Sequence, residues 1–286
     1  MLCQLLQCQR FWDKFLDTVG EDPITLWVYV SVILGTVLFW LAALGYTFLD
    51  LFAKPSSLMK YKIQPGVNEP VSSKQFFKLV VIVLRNQFLT LPAAYLFYKS
   101  MQWRGYASFR ELPAFSRLML DLVVMILWEE IAFYYIHRFL HNKYVFKYLH
   151  KRHHEWKAPI ALSALYSGSI EHILVNIIPT LFGTFVMGSH LATFYLWLSV
   201  TILGTLLIHS GYHLPYLPSP EFHDFHHLKF NQNYGVFGIL DRISGTDEEF
   251  KKTIAYTRHS VMLNLTSPRE MYPDVQEVNL IKNKNI

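Results

Sequence analysis

Apolar residues in this chain run in long unbroken blocks, and these blocks set the predicted elements. From Pro23 to Leu49 there are 27 residues without a charge, and about 20 apolar residues carry a helix across a bilayer. From His172 to Pro220 a run of 49 residues holds no Asp, Glu, Lys or Arg. Its apolar part, Ile173 to Ile208, is long enough for two helices, with Gly188-Ser189-His190 as the break between them. Two further blocks carry polar residues inside them. Leu79–Tyr98 holds Arg85 and Asn86, and Leu118–Ile136 holds Asp121, Glu129 and Glu130. Ionisable groups at such depth are costly, so they should face protein and mark a site. The pattern predicts an all-α, polytopic membrane protein with four or five transmembrane helices.

Composition agrees, with 52% apolar and 16% charged residues, an unusual balance for a soluble domain. The first block lies too far from the start, behind Glu21 and Asp22, for a cleaved signal peptide. Basic residues gather in 54–78 and 138–157, which the excess of Lys and Arg in cytoplasmic loops assigns to the cytosol. The polar segment 221–286 follows on the same side. The net charge is +5, but no basic groove with stacking aromatics stands out, which argues against nucleic-acid binding. Cys3 and Cys8 are the only cysteines, too few and too terminal for a disulfide framework or a thiolate metal site. No repeat of solenoid length appears. The expected division is an N-terminal span and loop over 1–75, a catalytic domain over 76–250 and a C-terminal tail over 251–286.

Histidines carry the candidate chemistry. Ten of thirteen fall in four groups: His137 and His141 in HRFLH; His150, His153 and His154 in HKRHH; His209 and His213 in HSGYH; His223, His226 and His227 in HDFHH. Residues four apart share a helix face, so His137/His141 and His209/His213 should each present two imidazoles together, and each HxxHH group should stack its first member over the other two. An even number of crossings separates the groups, which puts all ten on one membrane face. Clustered imidazoles repel when charged, so a metal is the simplest reason for them. Ten ligands exceed what one tetrahedral zinc uses, and two six-coordinate ions would absorb them. The glutamate of the HExxH zinc-protease motif is missing between both four-apart pairs.

These four boxes, in this order and flanked by WEEIAFYYIHRFLH, HHEWKAP and NYGVFGILDRISGT, resemble the histidine-box set of the membrane fatty acid hydroxylase and sterol desaturase superfamily. The resemblance covers about Phe76 to Thr246. It is most similar to the 4-methylsterol oxidase branch and the fatty acid hydroxylase domain-containing proteins near it. Two departures stand out: Gly168-Ser169 where many members carry His-Pro, and Leu240 before Asp241 where a Trp is usual. The resemblance implies a cytosolic helical cap with a dimetal site, two iron ions (with zinc possible in purified protein), O2, and electrons from an external donor, cytochrome b5 or its reductase. Its chemistry suits an unactivated C–H bond, which side-chain bases cannot break.

Groups that accept the rings' free N–H orient metal-bound histidines. The candidates are Glu130, Asn233, Asp224 and Asp241, the first two favoured. Glu155 and Asp247 read as solvated charges and Glu129 as a partner of Arg85. His190 and His259 read as structural or exposed, and His172 as a weak ligand candidate. The expected function is O2-dependent hydroxylation of a sterol, stepwise at a 4-methyl group. The alternatives are a fatty-acyl or sphingolipid hydroxylase and a non-catalytic lipid-binding scaffold. Lys282-Asn283-Lys284-Asn285-Ile286 resembles a dilysine retrieval signal, which places the protein in the endoplasmic reticulum membrane.

Overall fold

The computed structural model describes residues 2–274, so the dilysine segment lies outside the described residues. Numbering only helices of eight residues or more, the chain runs through α1 (Leu2–Val19), α2 (Thr25–Phe52), α3 (Ser73–Arg104), α4 (Phe115–Leu140), α5 (Ser169–Met187), α6 (Leu191–Ile208) and α7 (Glu221–Lys229). Among the described residues there is no strand, only an isolated antiparallel bridge between Lys62 and Tyr212. Four helices, α2, α3, α5 and α6, are long and apolar enough to cross a membrane. The fifth predicted span, α4, forms as a helix but carries Asp121, Glu129 and Glu130, all buried.

Helix boundaries follow local chemistry. Gly188, in the left-handed conformation with φ of 59°, ends α5. His190 then accepts a hydrogen bond from the Ala192 N–H and caps α6, so the predicted hairpin break is two adjoining caps. That ring is buried, with its other nitrogen 3.2 Å from the Phe109 carbonyl, which makes His190 structural. Helix α1, absent from the predicted elements, packs Leu16, Trp12 and Phe15 against Trp27 and Phe194 at this end of the bundle.

The α4–α5 pair sets the depth of everything on those helices. They run antiparallel, with Trp128 and Phe182 ring centroids 4.3 Å apart. A Cβ added at Gly183 would sit 3.0 Å from the Met125 Cα. Only a hydrogen side chain permits that approach, as in other close helix crossings within membranes. At the opposite end, past the last turns of α4 and α6, the short helices of residues 146–165 and 221–258 form a cap. The chain at 61–63 straps it, through Ile63 N–H to the Gly211 carbonyl (2.9 Å) and His213 N–H to the Tyr61 carbonyl (2.8 Å).

Gly183→Leu should force α4 and α5 apart and destabilise the protein by about 1–3 kcal/mol, the usual cost of overpacking. Thermal unfolding in detergent would show this as a lowered midpoint, and an unchanged midpoint would refute the close approach.

Candidate metal centre

Nine of the ten box histidines converge, in two groups. His137, His141, His150, His154 and His226 form one, and His153, His209, His223 and His227 the other; within each, one nitrogen per ring lies within 4.8 Å of all the rest. The partition is by helical spacing, not by box. The four-apart pairs 137/141, 150/154 and 223/227 each stay together, whereas His153 and His226 turn across to the opposite group. Each HxxHH box therefore serves both groups, rather than stacking its first member over the other two.

Hydrogen bonding shows what the rings do. The Nδ1 atoms of His137, His226, His227 and His209 meet the carbonyls of Tyr234 (2.8 Å), Gln232 (2.7 Å), Trp156 (3.0 Å) and Thr205 (2.9 Å). The Nδ1 of His150 meets Glu171 Oε1 at 2.6 Å. A carbonyl only accepts, so Nδ1 carries the proton and Nε2 of the neutral ring is a bare lone pair. Yet the Nε2 atoms face one another: His137 to His150 at 3.1 Å, His226 to His154 at 3.2 Å, and His209 to His223 at 2.9 Å. Between His137 and His150, where both Nδ1 atoms are held, the facing lone pairs repel unless a cation lies between them, and the two convergent groups of nitrogens fit a pair of metal ions with imidazole preference. Burial, with repulsion from neighbouring rings behind it, holds His150, His154, His226 and His227 well below the ordinary 6.5, which keeps them neutral.

His213 stands apart from both groups. Helix α6 stops at Ile208, and Gly211 turns the chain with φ of 73°, its missing Cβ leaving room for the Pro159 carbonyl. The helical pairing expected for His209/His213 is lost. His213 Nε2 faces the Ser260 carbonyl at 2.9 Å and Nδ1 lies 3.5 Å from Glu221.

The polar candidates act one step further out than expected, since none of Glu130, Asn233, Asp224 and Asp241 bonds to a ring. Glu130 accepts the N–H groups of Val236, Phe237 and Leu240 (2.8–3.0 Å), and Asp241 those of Tyr234 and Gly235. Together they fix the 234–240 loop that presents the Tyr234 carbonyl to His137. A Cβ at Gly235 would fall 2.8 Å from both carboxylates. Asn233, at φ 60°, donates to the Phe222 carbonyl and turns the chain just past Gln232, whose carbonyl meets His226. Asp224 accepts from Gln64, and burial pushes its carboxyl up to about 8. Glu155 is solvated and pairs with Lys78 (2.7 Å). Asp247 is buried rather than solvated, paired with Arg242 and Lys251. Glu129 does not pair with Arg85, which instead reaches Asn86 and the Ser167 carbonyl. His259 packs between Phe222 and Phe250, and His172 joins neither group.

The acceptor missed from sequence is Glu171. Its second oxygen accepts the Gly168 backbone N–H (3.2 Å), which holds the carboxylate at the start of α5. A lone acid ahead of an apolar run was the available signal. A cavity of about 750 Å³ reaches both groups, touching His137, His150, His153, His209 and His223, and extends between α2, α3, α4, α5 and α6 to Trp27 and Phe194.

The model of the family described as fatty acid hydroxylase matches residues 122–246, the stretch that holds every box. The chain is 42% identical over 267 residues (93% of it and 80% of the relative) to fatty acid hydroxylase domain-containing protein 2 of Homo sapiens. The chain belongs to the fatty acid hydroxylase family. Other members resemble it less: fatty acid hydroxylase ahd1 of Mycosarcoma maydis is 34% identical over 253 residues (87% of this chain, 63% of that protein). A putative methylsterol monooxygenase of Dictyostelium discoideum is 31% identical over 251 residues (85% and 90%). No solved structure matches. Membership of this membrane hydroxylase family supports an oxidoreductase.

Glu171→Ala should lower metal affinity about 10–100-fold, as loss of a ligand's orienting partner does. Glu171→Gln should cost less because an amide oxygen still accepts. Metal per protein after graded chelation measures both. In the same assay His226→Ala should lose metal while His213→Ala retains the wild-type content; loss in His213→Ala would return that ring to the ligand set.

Proposed function

We propose that this protein is an O2-dependent oxidase that hydroxylates a sterol, stepwise at a 4-methyl group, with two iron ions held by the nine converging histidines. The observation that carries it is the meeting of bare Nε2 lone pairs at one end of a large apolar cavity. Bound there, the metal ions would supply the activation of O2 needed to attack an unactivated C–H bond.

The chain's own residues do the rest. Nine neutral imidazoles hold the ions without adding charge. The Tyr234, Gln232, Trp156 and Thr205 carbonyls and Glu171 keep the Nε2 of five of them, His137, His226, His227, His209 and His150, free. Trp27, Phe39, Phe97, Phe194 and Trp197 in the cavity wall exclude water and accept a lipid body. The volume lies within the range of about 300–1,000 Å³ typical of small-molecule sites. The methylsterol monooxygenase name of one relative supports the sterol, and the fatty acid hydroxylase name of another supports the second reading, an acyl or sphingolipid substrate. The basic loops around the cap support a cytosolic site, where an acidic donor such as cytochrome b5 or its reductase would dock, and the dilysine-like sequence Lys282–Ile286 supports the endoplasmic reticulum.

Sterol mass spectrometry of cells with and without the protein tests this. Accumulated 4-methylsterols on its loss, restored by wild type but not by His226→Ala, are expected. An unchanged sterol pool with missing hydroxylated acyl chains would select the second reading, and no lipid change would reject both.

A further inference from the structure

The cavity wall is mostly apolar, and one polar stripe lies beside the metal groups. His172 and Asn176 on α5, Thr90 on α3 and Glu129 on α4 all line it. Asn176 Nδ2 lies 3.3 Å from His172 Nδ1, and His172 Nε2 lies 3.4 Å from Thr90 Oγ1, which also reaches the Asn86 carbonyl at 3.3 Å. These contacts are long for hydrogen bonds, so the stripe keeps donor and acceptor capacity. Glu129 is nine-tenths buried, and its Oε2 has no hydrogen-bond partner among the described residues. Polar groups left so in an apolar wall cost free energy unless something in the cavity pairs with them.

Their depth is fixed by the α4–α5 register. Met125 faces Gly183 and Trp128 faces Phe182, so continuing towards the cap brings the first turn of α5 level with the last turn of α4. His172 is thus level with His137, and its neighbour Glu171 does reach His150. At about 1.5 Å per residue, Asn176 starts roughly 6 Å deeper, and its side chain leans back towards the α5 N-terminus, towards the metal groups. His172 and Asn176 both lie in the π-helical turn His172–Ile177, and such turns recur at functional sites.

Resting on the sterol reading above, we propose that His172 and Asn176, steadied by Thr90, bind the hydroxyl of the lipid and so select a substrate whose hydroxyl lies close to the carbon oxidised. The hydroxyl oxygen accepts a hydrogen bond from the His172 ring or the Asn176 amide, and the hydroxyl donates one to Asn176 Oδ1. A sterol bearing its hydroxyl next to a methylated carbon meets this condition. A lipid whose polar group lies many bonds from the reacting carbon does not.

The test compares kcat/KM for a 4-methylsterol and its 3-deoxy counterpart in metal-loaded protein. A site built to bond a hydroxyl rejects the analogue lacking it by large factors, so wild type should favour the hydroxylated sterol by about 100-fold or more. Asn176→Leu and Thr90→Val should each reduce that ratio at least tenfold with metal content unchanged, and Asn176→Gln should retain part of it. A ratio that the variants leave intact overturns the subsite. If wild type oxidises neither sterol, the sterol reading fails separately, and the subsite is read by binding. The hydroxylated lipid should then raise the unfolding temperature of wild type more than its deoxy partner does, a difference lost in Asn176→Leu; equal shifts overturn it.

Discussion

The cap is organised around one constraint: nine imidazoles must converge with their Nε2 atoms inward, and five of them have Nδ1 tied to an acceptor that leaves Nε2 unprotonated. A neutral ring has one proton, and it stays on Nδ1 only if an acceptor waits there. Four of those acceptors are backbone carbonyls, at Trp156, Thr205, Gln232 and Tyr234, and one is Glu171. Backbone position and metal-site electrostatics are therefore one problem. The Glu130 and Asp241 carboxylates, each holding two or more N–H groups of the 234–240 loop, solve part of it without touching a ring.

The membrane helices supply the other half. Bringing α4 against α5 through Gly183 places Glu171 beside His150 and His172 level with His137, so helix packing deep in the bundle sets geometry at the cap. The same packing leaves an apolar cavity that ends at the rings. A site that oxidises C–H bonds needs both features: ligands that stay neutral and a dry route for an apolar substrate.

Periodicity made much of this legible. Charge-free runs gave α2, α5 and α6, and the weaker runs gave α3 and α4. Three of the four-apart histidine relations, 137/141, 150/154 and 223/227, survive as neighbours in space. Where the helix stopped, the inference stopped: His213 leaves the group because α6 ends at Ile208 and Gly211 reverses the chain. Glu129 and Arg85 looked complementary as charges, but the fold gives Arg85 to Asn86 and Ser167.

Sequence by itself determined that the chain is helical and membrane-spanning and that clustered imidazoles are its chemistry, because hydrophobic run length and residue type are local properties. Tertiary structure alone decided how the boxes divide between two groups, which acceptor holds each Nδ1, and which polar residues face the cavity. Those acceptors are mostly backbone carbonyls, which every residue carries alike. Only the path of the chain, through the Gly183 contact and the turns at Gly211 and Asn233, brings the right ones to the rings.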